Sequence, residues 1–324
     1  MRPSAAAIQL PPAGELQAAV LGWYRAEGRA LAFRATRDPY AILVSETMAQ
    51  QTQIGRAVDH WRRFMARFPT FEALAAATPA DVLRAWQGLG YDRRALNLLR
   101  CARIVVTELG GQLPPEVDAL QRLPGIGPYT ARAIAALAFG RQAGAVDVNV
   151  HRVLSRVVGG TQAGSMSRAA VQAVADALVP PDKPAEWTHA LMDVGATLCR
   201  ARAPRCEACP ARTWCRYAEA AHVEATKAPA GRTDRPSRPR AARERPAPFD
   251  STTRWLRGRI LDRLRAVHGD GWIAFPDALG EHGRPAVEAA LVALAREGMI
   301  ELQTSDPPEA RLATAWGLAV ISRQ

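Results

Sequence analysis

The stretch Leu123–Thr130, LPGIGPYT, sets two glycines and two prolines in one tight turn and ends on a tyrosine, directly before the helix-forming run ARAIAALAFG. Gly125 and Gly127 allow backbone to come close to another molecule, and the unpaired N–H groups of a fresh helix start can donate to an anion. The turn predicts a helical hairpin that meets a phosphate. An ordinary helix–helix turn shares this composition, so the rest of the chain has to decide between the two.

On both sides of the turn the pattern up to about residue 222 is helical. Asp38 is placed to cap a helix that Pro39 starts. Val58, Trp61, Met65 and Phe68 recur at helical spacing, and in ATPADVLRAW Thr78 caps while Val82, Leu83 and Trp86 make the buried stripe. In AVDVNVHRVLSRVV, residues Val150, Val153, Leu154, Val157 and Val158 form one apolar face, which puts Asp147 at or just before a helix start. Composition changes after His222. Residues 223–250 are rich in Pro and Arg, lack an apolar period, and read as a solvated linker. Order returns at Ser251 with RWLRGRILDRL, then Val287, Ala290, Leu291 and Leu294 on one helical face. GMIELQT and RLATAWGLAV follow as candidate strands, so 251–324 read as a small winged-helix-like α+β module.

The 324 residues carry 42 Lys and Arg against 31 Asp and Glu, a formal charge of +11 that suits a polyanionic partner. No segment approaches the ~18 to 20 consecutive apolar residues needed to span a bilayer, and prolines interrupt the opening where a signal peptide needs its apolar run. The expectation is a cytoplasmic protein. Four of the five cysteines crowd into CRARAPRCEACPARTWC as Cys199, Cys206, Cys209 and Cys215. In a reducing compartment such crowding points to ligands of one soft centre, either a [4Fe-4S] cluster or a structural zinc. Cys101 stands apart and reads as a small buried apolar residue.

Two carboxylates have unusual settings. A helix N-terminus would keep Asp147 ionised, which serves an ordinary N-cap and a group facing positive charge equally well. Glu46 in ILVSETMAQQTQ has Ile42, Leu43, Ala49 and Gln50 as helical neighbours. That face is apolar enough to desolvate the carboxyl and raise its pKa, as a general acid requires, though a partly buried helix residue gives the same pattern.

Taken together, LPGIGPYT, the C-x6-C-x2-C-x5-C run, SETMAQQTQ and the Asp147-Val148-Asn149 triplet resemble the helix-hairpin-helix DNA glycosylases of the endonuclease III and MutY superfamily. The likeness runs from about Leu31 to Tyr217. It implies a mainly α, two-lobed glycosylase fold over residues 1–222, with a [4Fe-4S] cluster on Cys199, Cys206, Cys209 and Cys215 that shapes a basic loop bearing Arg200, Arg202, Arg205 and Arg212. It implies that the hairpin, with Gly125, Gly127 and Thr130, grips the backbone of duplex DNA holding a mismatched or oxidised pair, beside a flipped nucleotide. Strand-cutting relatives carry a Schiff-base lysine where this chain has Tyr129, so the resemblance implies a monofunctional, monomeric enzyme of base excision repair that uses water. Asp147 would stabilise charge on the sugar, Asn149 would orient it, and Glu46 would protonate adenine. Gln50, Gln51 and Thr52 would form a DNA-binding polar patch with Gln51 and Thr52 near the estranged base, and Tyr91 would wedge into the duplex.

Departures from the family are local. Val148 replaces a glycine or threonine, Asp92 replaces the second tyrosine of G-L-G-Y-Y, and Phe33 replaces a tryptophan. The Nudix-like domain that reads 8-oxoguanine in MutY enzymes is not recognisable after residue 250. Mismatch thymine glycosylases share a tyrosine at the position of Tyr129 but tend to lack the Gln-Gln-Thr run, which favours adenine over thymine or uracil. A catalytically idle DNA-binding protein is the remaining alternative, and the joint presence of Glu46, Tyr129, Asp147 and Asn149 argues against it.

Overall fold

The structure is a computed structural model that describes residues 9–160, 166–220, 248–267, 269–315 and 320–321. In chain order its helices are α1 (Ala13–Glu27), α2 (Pro39–Ala49), α3 (Ile54–Arg67), α4 (Phe71–Ala75), α5 (Pro79–Ala85), α6 (Arg93–Glu108), α7 (Val117–Gln121), α8 (Pro128–Leu137), α9 (Val148–Val157), α10 (Arg168–Ala177), α11 (Pro184–Asp193), α12 (Thr253–Ala266) and α13 (Arg284–Arg296). Four short strands, β1 (Ile273–Ala274), β2 (Ile300–Gln303), β3 (Glu309–Leu312) and β4 (Val320–Ile321), form one sheet in the order β1-β3-β2-β4. Among the described residues no helix is long and apolar enough to cross a membrane.

Contacts divide the chain into two compact units, Met1–Glu46 with Pro114–Pro236 and Thr47–Leu113 with Ser237–Gln324. In the first, α9 lies in the core. Val150, Val153, Leu154, Val157 and Val158 are all buried, against Leu16 and Val20 of α1, Val171 and Val174 of α10 and Trp187 of α11. A ten-residue helix is marginal alone. Burying each of these side chains is worth roughly 1.5–3 kcal/mol, so packing rather than propensity fixes where α9 begins. That start is Asp147, and two first-turn N–H groups donate to its side chain. Pro39 opens α2 as expected, with the Tyr40 N–H donating to Asp38 Oδ1 at 3.0 Å.

In the second unit Thr78 forms a full capping box with Asp81, and Val82, Leu83 and Trp86 are entirely buried. The inner face of α3 is Ala57 and Phe64, continued by Phe68, whereas Val58, Trp61 and Met65 are half-buried along its flank. Phe64 is the reason: its ring meets Trp86 edge-on at 6.0 Å and Phe68 at 5.0 Å, which rotates the helix off the stripe that spacing alone suggests.

The tail from Ser251 builds two helices and a small sheet, with β2 and β3 antiparallel from Ile300 opposite Leu312 to Gln303 opposite Glu309. β2 falls inside GMIELQT. The second predicted strand overlaps β3 only at its start and β4 at its end, and residues 316–319 between them lie outside the described residues. β1 is two residues long, too short to leave a period in the sequence. Leu256, Ile260, Leu261 and Leu264 of α12 share one core with Leu291 and Leu294 of α13 and with Ala80, Leu83 and Leu96. The Ala80 N–H donates to the Ala313 carbonyl at 2.8 Å, which ties the sheet to the start of α5. The segment that composition sets apart is thus built into the same unit as Thr47–Leu113. Most of the predicted linker, residues 223–247, lies outside the described residues. Cys101 is fully buried, and burial pushes its thiol up to about 12.

Candidate active site

Glu46 projects from α2 into a cavity of about 690 Å³, lined also by Phe33, Arg34, Ile42, Ser45 and His189. Burial pushes the Glu46 carboxyl up to about 6, and the like charge of Asp147 adds to the rise; a hydrogen bond from Tyr129 and the charge of Arg34 pull against it. Tyr129 stands at the second position of α8 because Pro128 opens that helix. Its hydroxyl also faces Met192 Sδ at 3.8 Å, but with one proton to give it favours the carboxylate, the far stronger acceptor. The same burial and carboxylates hold the Tyr129 phenol well above its ordinary value.

Asp147 is held by the backbone it caps. The N–H groups of Asn149 and Val150 donate to its Oδ1 at 2.9 and 2.7 Å, and Asn149 Nδ2 donates to Oδ2 at 2.9 Å. Three donors on one carboxylate fix its orientation. Asn149 is fixed in turn by Arg152, whose Nη2 donates to Asn149 Oδ1 at 2.8 Å and to the Gly195 carbonyl at 2.6 Å, while its Nε donates to the Cys199 carbonyl at 2.6 Å. Gly195 has to be glycine, since a Cβ there would come within 2.7 Å of Asn149 Cβ.

A second layer surrounds the cavity. Asp193 is fully buried and receives a bidentate pair from Arg34 at 2.8 and 2.8 Å, together with the Arg29 N–H at 2.8 Å and Arg29 Nε at 2.7 Å. These donors keep the Asp193 carboxyl below its usual range despite burial, and Arg34 is thereby anchored beside Glu46. Burial holds His189 down to about 3, so it faces the cavity as neutral imidazole.

The four cysteines converge. Cys199, Cys206, Cys209 and Cys215 line one cavity of about 360 Å³ closed on its inner side by Val153, Arg156 and Val157 of α9. Arg156 is buried, donates from Nη1 to Cys199 Sγ at 3.3 Å and to the Arg200 carbonyl at 2.7 Å, and stacks on Tyr217 at 4.7 Å. Desolvation first, then mutual repulsion among the four sulfurs, pushes the Cys209 thiol up to about 11.

In the hairpin between α7 and α8 the two glycines differ. Gly125 has φ +82, a left-handed backbone that only glycine adopts freely. Gly127 has φ −84, and a Cβ there would meet nothing within 4 Å, so no protein neighbour requires a glycine. Thr130 is 2 % exposed. What the position offers outward is backbone at a helix start.

Gln50, Gln51, Thr52 and Tyr91 belong to the second unit, Glu46, Tyr129, Asp147 and Asn149 to the first. Gln51 and Tyr91 both sit at positive φ, +54 and +50. Arg94 joins their two turns: Nη1 donates to the carbonyls of Thr47 at 2.7 Å and Gln50 at 2.6 Å, and Nη2 to those of Leu89 at 3.2 Å and Gly90 at 3.1 Å. Its guanidinium also lies 5.4 Å from the Trp86 ring centre and 5.7 Å from that of Tyr91.

Residues 44–178 match the HhH-GPD superfamily base excision DNA repair protein family. An adenine DNA glycosylase of Mycolicibacterium smegmatis is 40% identical over 289 residues, 89% of this chain and 92% of that protein. The chain belongs to the HhH-GPD superfamily, among the adenine DNA glycosylases. A thermostable thymine-DNA glycosylase structure of the superfamily superposes with a TM-score of 0.60 at 31% identity, covering 64% of this chain and 97% of that one. An endonuclease III–DNA covalent intermediate, at 21% identity and a TM-score of 0.55 over 66% of this chain and 100% of that one, shares the fold. Around Glu46 and Asn149 the structure also places Arg34, Asp193, Arg152 and His189, which sequence reasoning missed. Each is a residue type common on surfaces, and its place beside Glu46 or Asn149 comes from folding across distant segments.

Proposed function

We propose that this chain hydrolyses the N-glycosidic bond of adenine mispaired with 8-oxoguanine or guanine in duplex DNA, as a monomeric, monofunctional glycosylase of the bacterial cytoplasm. The observation that carries the reading is the pairing of Glu46, its carboxyl raised to about 6 and hydrogen-bonded to Tyr129, with the backbone-held Asp147. A carboxyl kept available as an acid, with a second carboxylate at hand, is what acid-assisted glycoside cleavage needs.

Glu46 gives its proton to the extruded adenine as the bond from the base to C1′ breaks and the pair of electrons leaves with the base. Positive charge grows on the sugar, and Asp147 faces it without forming a bond. Water adds to C1′ and returns a proton to the Glu46 carboxylate, closing the cycle. Tyr129 steadies Glu46 and has no amine to form a Schiff base, so the strand is left uncut. Gly127, open to solvent and unconstrained by protein, suits close approach of a phosphate at the start of α8.

The thiol set fits a [4Fe-4S] cluster on Cys199, Cys206, Cys209 and Cys215. Four cysteines share one cavity beside Arg156, whose Nη1 donates to Cys199 Sγ. Such a cluster would supply cross-linking of the loop rather than chemistry at the sugar. Iron and sulfide analysis of the purified protein tests this, with zinc in their place overturning it.

The deciding experiment places A or T opposite 8-oxoguanine, G or C and treats the products with alkali. Breakage of the A strand after alkali, and almost none before, is expected. Breakage of the T strand instead would move the substrate to thymine.

A further inference from the structure

The tail from Ser251 and the unusual Asp92 meet at one surface of the second unit. Tyr91 is 43 % exposed and holds a left-handed backbone that a bulky residue keeps only when its surroundings impose it. Helix α12 imposes it. In its first turn Arg254 donates from Nη1 to the Tyr91 hydroxyl at 2.8 Å and lays its guanidinium 4.1 Å from the ring centre. Further along the same helix Arg265, itself buried, forms an ion pair with Asp92 and donates to the Leu83 carbonyl at 3.1 Å. The residue that departs from the family is therefore the one that clamps the tail to the turn. Phe249, 62 % exposed, also lies near Arg254, its ring centre 5.9 Å from the guanidinium.

An exposed phenylalanine alone needs no explanation. Two exposed rings sharing one guanidinium are a different surface, because rings and guanidinium both stack on nucleobases and the charge suits a nucleic acid. A phosphate contact would use the charge and have no need of the rings. The geometry points to a stacking platform of Tyr91, Arg254 and Phe249 that receives the base left without a partner when the opposite nucleotide leaves the duplex. This rests on the glycosylase reading above. It gives the tail a share in recognising damaged DNA, with two of the three stacking groups coming from beyond residue 248.

The test uses the full chain and a duplex carrying 2-aminopurine opposite a tetrahydrofuran abasic analogue, which cannot be cleaved. Binding of the unmodified protein should quench the fluorophore by stacking. The Arg254→Ala/Phe249→Ala double variant should lose the quenching and bind this duplex about tenfold more weakly, while affinity for a fully matched duplex changes by less than about twofold. Both side chains are exposed, so the melting temperature should hold; if it falls, Phe249→Ala alone is judged by the same readout. Arg254→Lys keeps the charge without the plane and should leave the quenching impaired. Unchanged quenching in the double variant, equal weakening on both duplexes, or full restoration by lysine would overturn the platform, the last two marking a phosphate contact. Adenine release is followed with the same preparation on a cleavable duplex; its absence would sink the catalytic reading and leave quenching to decide the platform.

Discussion

The proton affinity of Glu46 is set by a contest among neighbours. Burial and Asp147 favour the neutral form, while Tyr129 and Arg34 favour the ionised one. With the carboxyl at about 6, base release should slow as pH rises through that value, since the acid form is then depleted. Removing the Tyr129 hydroxyl takes a donor away from the carboxylate, so Tyr129→Phe should move the alkaline limb of a single-turnover rate profile to higher pH. A limb that stays put or moves down would refute the assigned hydrogen bond. Glu46→Gln should cut the rate at least ~10²-fold, the usual worth of general acid help, with the Kd for duplex little changed. Glu46 and Asp147 were legible in the sequence because their neighbours three and four residues away announce a desolvated face and a helix start. His189 and Arg34 were not: nothing near either residue in the chain signals the cavity they share.

Helix starts supply the site's polar groups. At the head of α9 one carboxylate caps the helix with one oxygen and takes an amide with the other, so the N-cap is also the residue proposed to face the sugar. At the head of α8 the open space around Gly127 makes a separable prediction. Gly127→Val should cost the fold no more than ~1 kcal/mol, the loss of a favourable N-cap residue, yet weaken duplex binding severely. A variant that melts near the parent and binds DNA equally well would remove the hairpin from the interface. The hairpin, the capping box of α5 and the stripe of α9 could be read from local pattern alone. The inner face of α3 could not, since Phe64 answers to Trp86, a residue on another element.

At the scale of the whole chain, a surplus of eleven positive charges predicts how binding responds to salt. An interface that neutralises about six phosphates loses ~10³-fold in affinity between 50 and 200 mM salt. A titration by fluorescence anisotropy should show that steep fall, and a Kd indifferent to salt would contradict a backbone-gripping surface. Composition located the tail but could not show what it packs against, because Leu83 and Leu96 look like any helix-core residues until α12 is laid over them.

That shared hydrocarbon seam changes what trimming the gene would do. Stopping translation at residue 222 would strip the cover from Ala80, Leu83 and Leu96 and orphan the carboxylate of Asp92. The shortened product should be sticky and prone to precipitate, and supplying residues 248–324 as a separate polypeptide during refolding should bring it back into solution.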